Sequence, residues 1–159
     1  MKKKLISVKY ILLSILALMI IVQFLPSKVK NPKVITENDL ISITKPEKEI
    51  ETILRNSCYD CHSNETKFPW YSKVAPASWF LNSHIEKGRS HFNFSNWKTY
   101  SAENQISISQ NCIEEIKDGE MPLWSYTLLH SEAKLNSEEK EKLISWFTSE
   151  FKIKFDTEQ

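Results

Sequence analysis

The 159-residue chain has two glycines, Gly88 and Gly119. So few exclude a glycine-rich phosphate loop and leave little material for tight hairpins, which tilts the reading towards helices. Cysteine is also sparse. There are three, and two of them fall within residues 58–62, so no general disulfide framework is implied. Acidic residues are missing from the first 33 positions, which carry seven lysines; the remainder holds 14 basic and 20 acidic residues. A main domain of net −6 leads us to expect no nucleic-acid partner. Internal repeats and low-complexity tracts are absent. What the chain does have is eight Phe, five Trp and five Tyr, a heavy aromatic load for its size.

Lys2, Lys3, Lys4 and Lys9 precede sixteen uncharged residues, 10–25, rich in Leu and Ile and ended by Pro26. A basic stretch before an apolar one is the pattern of an export signal. The residues before Pro26 are bulky, with no small-x-small cleavage site, so residues 1–25 read as an uncleaved signal-anchor that holds the chain in the cytoplasmic membrane. The soluble part is then expected on the periplasmic side. Residues 26–45, with Pro26 and Pro32, read as a linker, with Val34-Ile35 and Leu40-Ile41 open to the alternative of a short strand or of packing on the domain, and 46–155 as the main domain.

That domain reads as all-α. A first helix is expected over 46–57, with Pro46 at its first position and Ile50, Ile53 and Leu54 on one face. A second runs over 77–87, ended by Gly88 in the C′ position. The third covers 101–117, with Ser101 as N-cap and a stop at Asp118-Gly119. The last starts at Asn136 with Glu139 as capping-box partner, and its apolar stripe contains Leu143, Ile144, Trp146, Phe147 and Phe151. The first and last helices are the natural pair to cross.

Residues 58–62 read Cys-Tyr-Asp-Cys-His. CxxCH is the attachment pattern for c-type haem. Two residues between the thiols let both sulfurs reach the vinyl groups on one porphyrin edge, and the adjacent histidine turns its imidazole towards the iron. Cys58 and Cys61 are thus expected to tether one haem covalently, with His62 as proximal ligand. Three other readings stay open at this stage: a thioredoxin-like CxxC, which lacks its βαβ context; a zinc site recruiting Cys112 with His84 or His91; and a Cys58–Cys61 disulfide.

For the second axial position Met121 ranks first. It lies between two expected helices, and Pro122 stiffens its loop. Methionine ligation raises the reduction potential and suits electron transfer, although methionine is as often a gap-filling core residue. His84 ranks second and an open position third. His91, in an expected loop, is a candidate partner for a haem propionate, and His130 for a contact to the Met121 loop. Cys112 reads as a small buried apolar residue.

Several motifs together resemble the bacterial haem-binding domain family of small exported CxxCH proteins. They are residues 56–64 (NSCYDCHSN), 68–71 (FPWY), Trp79, Asn82 with His84-Ile85, 91–95 (HFNFS), Glu120-Met121-Pro122, 125–127 (SYT), His130 and 133–135 (AKL). The similarity spans about residues 46–148. It implies a cytochrome-c-like helical fold with one covalent haem on Cys58 and Cys61, His62 as proximal ligand and Met121 at the distal position. Trp70, Tyr71, Trp79 and His91 join as haem-pocket residues. Cys112 lies outside the pattern.

Two functions follow as expectations. The first is a membrane-anchored periplasmic mono-haem electron carrier that meets a redox partner protein. The second is a haem-based sensory or small-ligand-binding module with an exchangeable sixth iron position. No paired carboxylates or nucleophile–base set mark a further site, so the chain reads as non-enzymatic.

Overall fold

The computed structural model describes residues 2–25 and 29–153, with side chains from residue 8 onward. It opens with α1, Lys2–Val22, whose apolar side chains from Tyr10 to Leu25 are mostly exposed. Among the described residues, no helix is long and apolar enough to cross a membrane.

Within the stretch expected as a linker, residues 36–45 fold onto the domain. A 3-10 turn, Thr36–Asn38, leads to α2, Leu40–Thr44. Asp39 caps α2, its carboxylate accepting from the backbone N–H of Ile41 at 3.0 Å and Ser42 at 3.4 Å. Tyr59 adds its hydroxyl to the same carboxylate at 3.2 Å. Leu40 and Ile41 are buried in the main core. The apolar pair Leu40-Ile41 and its acidic cap decide this, because burying each side chain contributes roughly 1.5–3 kcal/mol.

Next comes α3, Lys48–Ser57, capped at Glu47. The helix begins two residues later than expected, because Glu47 is extended and leaves Pro46 outside it. Ile50, Ile53 and Leu54 face inward as the spacing requires. A break at Cys58 separates α3 from the single turn α4, Tyr59–His62. After a 3-10 turn, Trp70–Lys73, α5 runs Ala77–His91.

Gly88 was expected to end α5 but sits inside it. A Cβ at this position would lie 2.7 Å from the Cys61 carbonyl oxygen. The glycine therefore serves close packing against α4, and the helix continues to His91, which is consequently not a loop residue.

A 3-10 stretch, Phe94–Thr99, precedes α6, Ala102–Asp118. Ser101 caps α6 through the Asn104 N–H, and Gly119 closes it at φ 75°, a left-handed conformation suited to glycine. The short α7, Trp124–Thr127, and a 3-10 turn, Ser131–Ala133, lead to α8, Ser137–Glu150. Its Asn136–Glu139 capping box is present as expected. The architecture is all-α, with no strand among the described residues.

α8 packs against both α6 and α3, closing the core. Leu54, Ile113, Leu143, Phe94, Trp97 and Phe147 fill it, each at most 1% exposed. Lys142 links the outer edges of α3 and α8 through Glu49 at 2.7 Å. That exposed pair adds little beside the apolar contacts.

Candidate functional site

The core leads directly to residues 58–62. The carbonyl of Cys58 accepts from the N–H of Cys61 at 3.2 Å and of His62 at 2.9 Å, so one helical turn carries both thiols and the histidine. The turn is held on three sides. Gly88 lets α5 press against its backbone. The Ser63 hydroxyl donates to the Tyr59 carbonyl at 2.7 Å and accepts from the Glu65 N–H at 2.9 Å. Arg89 donates to the Ser63 carbonyl at 2.7 Å and to the Thr66 hydroxyl at 2.9 Å.

His62 stacks on Phe92, with ring centroids 4.1 Å apart and planes 10° apart. Its Nδ1 is the one buried side-chain nitrogen or oxygen without a hydrogen-bond partner among the described residues. Burial lowers the His62 pKa to about 4, against a smaller opposing pull from the backbone at Phe92 and Gly88. A neutral imidazole with an unused ring nitrogen is the form that ligates a metal. Leaving that atom unpaired is costly unless something else engages the ring.

Cys58 and His62 line a mostly apolar cavity of about 290 Å³ together with Phe92, Phe94, Ile108, Cys112 and Met121. His91 lies at its edge. Cys61 opens instead on a neighbouring apolar groove of about 720 Å³, shared with Trp70, Tyr71, Phe80, His84 and Tyr126. The expected residues therefore divide: Cys58, His62, His91 and Met121 meet in the cavity, Cys61, Trp70 and Tyr71 in the groove, and Trp79 lines neither. Burial raises the Cys58 thiol to about 12 and Cys61 to about 11. Cys112, half-buried in the cavity wall, has its thiol raised by burial, with smaller effects from nearby Cys58 and Glu115.

Met121 is presented by the turn that ends α6. The Glu115 carbonyl accepts from the N–H groups of both Glu120 and Met121, at 3.0 and 3.2 Å. Farther along, Tyr126 donates to Asp60, between the two cysteines, at 2.6 Å. His130 stacks on Tyr126 at 4.3 Å and shares a 2.8 Å hydrogen bond with the Tyr71 hydroxyl. The Met121 segment is thereby tied to the cysteine turn. Burial and the facing Asp60 carboxylate both push the Tyr126 hydroxyl up, so it stays a donor.

Arg89, Asp60 and Phe92 were not singled out from the sequence as site residues, and Gly88 was singled out only as a helix stop. Gly88 was visible as one of only two glycines, and Phe92 lies in the aromatic string 91–95. Arg89 and Asp60 carry no one-dimensional signal, since their partners lie on other elements.

Cys58, Cys61 and Cys112 are all free. Among the described residues, no group of three or more His, Cys, Asp or Glu side chains is placed to hold a bare metal ion, so the zinc reading gains no geometry. A haem fits the residues present better. The cavity supplies apolar walls, an orphaned imidazole nitrogen and a thioether, a donor set matched to a porphyrin-held iron.

A small helical domain with these features is a haem protein in its class. The model of the haem-binding domain family matches residues 17–149, and the chain belongs to that family. No curated protein matches the chain, and no solved structure does.

Proposed function

We propose that the chain is a membrane-anchored c-type cytochrome of the periplasmic side, carrying one covalent haem and passing single electrons to a redox partner protein. The carrying observation is that His62 and Met121 line one apolar cavity, with Cys58 at its wall. Cys58 and Cys61 would hold the haem covalently, His62 would serve as proximal ligand and Met121 as distal ligand. When bound, the haem supplies a one-electron iron couple, which methionine ligation places at a higher potential.

The chain's own residues do the rest. Gly88 and Arg89 fix the cysteine turn. Phe92 orients the imidazole. Tyr126 holds the Met121 segment to that turn. The basic stretch followed by residues 10–25 supports the anchor and the export it requires, because covalent haem attachment in bacteria takes place outside the cytoplasmic membrane.

The test is to express the full chain with the haem-attachment machinery and record spectra with and without carbon monoxide. The expected result is haem that survives a denaturing gel and a low-spin spectrum indifferent to carbon monoxide. Ready carbon monoxide binding would replace electron transfer with the ligand-binding module. Absence of covalent haem would remove the c-type assignment.

A further inference from the structure

One face of the domain is unusually apolar. Trp70 is 79% exposed, Trp124 75% and Leu128 71%, and Val74, Phe80 and Leu129 are exposed beside them. Trp70, Phe80 and Leu129 line the groove on which Cys61 opens, Val74 follows the 3-10 turn before α5, and Trp124 and Leu128 stand at the two ends of α7, whose neighbours Leu123, Ser125 and Tyr126 line the groove. Water-soluble surfaces rarely leave so many large apolar side chains together without something to cover them.

The chain's own path indicates the cover. Gln23, one residue past α1, exchanges two hydrogen bonds with the backbone of Ala75. Its Nε2 donates to the Ala75 carbonyl at 3.0 Å, and its Oε1 accepts from the Ala75 N–H at 3.0 Å. Ala75 lies between exposed Val74 and Pro76, and Pro76 is part of the groove wall. The apolar helix therefore leaves the domain from the rim of this face.

We propose that this face rests on the lipid bilayer, with Trp70 and Trp124 in the interfacial layer. The proposal depends on the reading of α1 as the membrane anchor. Tryptophan, apolar at its body and polar at one nitrogen, concentrates at that depth. Lys73 at the end of the 3-10 turn and Lys28, Lys30 and Lys33, on the domain's side of the apolar run, suit anionic headgroups. Because Cys61 opens on the same groove, the side of the domain bearing that thiol faces the lipid.

The full chain with its haem is placed in vesicles of phosphatidylethanolamine and phosphatidylglycerol that carry a photoactivatable acyl chain. After irradiation, lipid adducts are mapped by mass spectrometry. The expected adducts fall in residues 8–25 and also in 68–80 and 123–129, and spare the outer side of α8. The triple variant Val74→Ser, Trp124→Ser, Leu128→Ser, which touches no haem-pocket residue, is expected to keep its haem spectrum and the adducts in 8–25 while losing those in 123–129. Adducts in wild type confined to 8–25 overturn the docking and leave the anchor standing. Adducts in neither region overturn the anchor reading itself. Chain-to-chain cross-links through Trp70 or Trp124 in place of lipid adducts also overturn the proposal, in favour of a second copy.

Discussion

Tyr126 donates a 2.6 Å hydrogen bond to Asp60, joining α7 to one of the two residues between the cysteines. The contact spans 66 positions in sequence and ties the methionine side of the cavity to the cysteine side. Tyr126→Phe keeps the ring stacked on His130 and deletes only this bond. Loss of a hydrogen bond to a charged acceptor costs about 1.5–3 kcal/mol. The expected outcome is a lower melting temperature and, with Met121 as the proposed distal ligand, faster displacement of the methionine by added imidazole, followed in the visible spectrum. Unchanged displacement kinetics would mean that the bond does not hold the Met121 segment.

If Met121 is the distal ligand as proposed, Met121→Ala is expected to leave covalent haem in place, lower the reduction potential and open the iron to carbon monoxide. Potentiometric titration and carbon monoxide difference spectra check this. A variant that matches wild type in both would take Met121 off the iron.

Gly88→Ala would push a methyl group against the Cys61 carbonyl, from a Cβ position only 2.7 Å away. The obstacle is backbone on both sides, so it cannot swing aside as a side chain would. Overpacking of this kind costs about 1–3 kcal/mol. Thermal unfolding should register the loss, and the yield of covalently attached haem per chain should fall with it.

Asp39 gives a pH prediction. Its carboxyl is raised above 3.8, chiefly by burial, with smaller opposing effects from the Ser42 and Ile41 N–H groups and the Tyr59 hydroxyl. The folded state therefore holds this proton more tightly than the unfolded chain. The contribution of Asp39 to stability is highest below 3.8 and declines as pH rises through the raised folded value. Asp39→Asn keeps an oxygen for the α2 cap and removes the ionisation. The difference in unfolding free energy, variant minus wild type, should rise with pH across that window and then level off. A flat difference would show that burial does not set this carboxyl's titration.

Much of the helical frame was legible because its signals are local. Ser101, Gly119 and the Asn136–Glu139 box mark helix ends whose partners lie within four residues. The apolar spacing of Ile50, Ile53 and Leu54 marked the buried face of α3 in the same way. Gly88 was misread because the same residue serves two purposes. A glycine after a helical run commonly ends the helix, whereas here a long-range approach to Cys61 requires it inside. The CxxCH turn and the methionine loop were visible as motifs. The division of the two thiols between cavity and groove was not, since it depends on how α5 and α7 pack around α4. Nor could spacing reveal Arg89, whose partners run from Lys30 to Thr66.

Arg89 also changes what the N-terminal segment can do. It donates to the Lys30 carbonyl at 2.9 Å and to the Asn31 side chain at 2.7 Å, while Asn31 donates to the Thr66 carbonyl at 2.9 Å. With Gln23 fastened to Ala75 on the near side, only a few residues separate two points of attachment to the domain. A chain leashed by twenty free residues would sweep a hemisphere in search of its partner. With α1 as the proposed membrane anchor, a domain stapled this closely would turn with it, and encounter would become a matter of lateral diffusion and of the direction a partner faces.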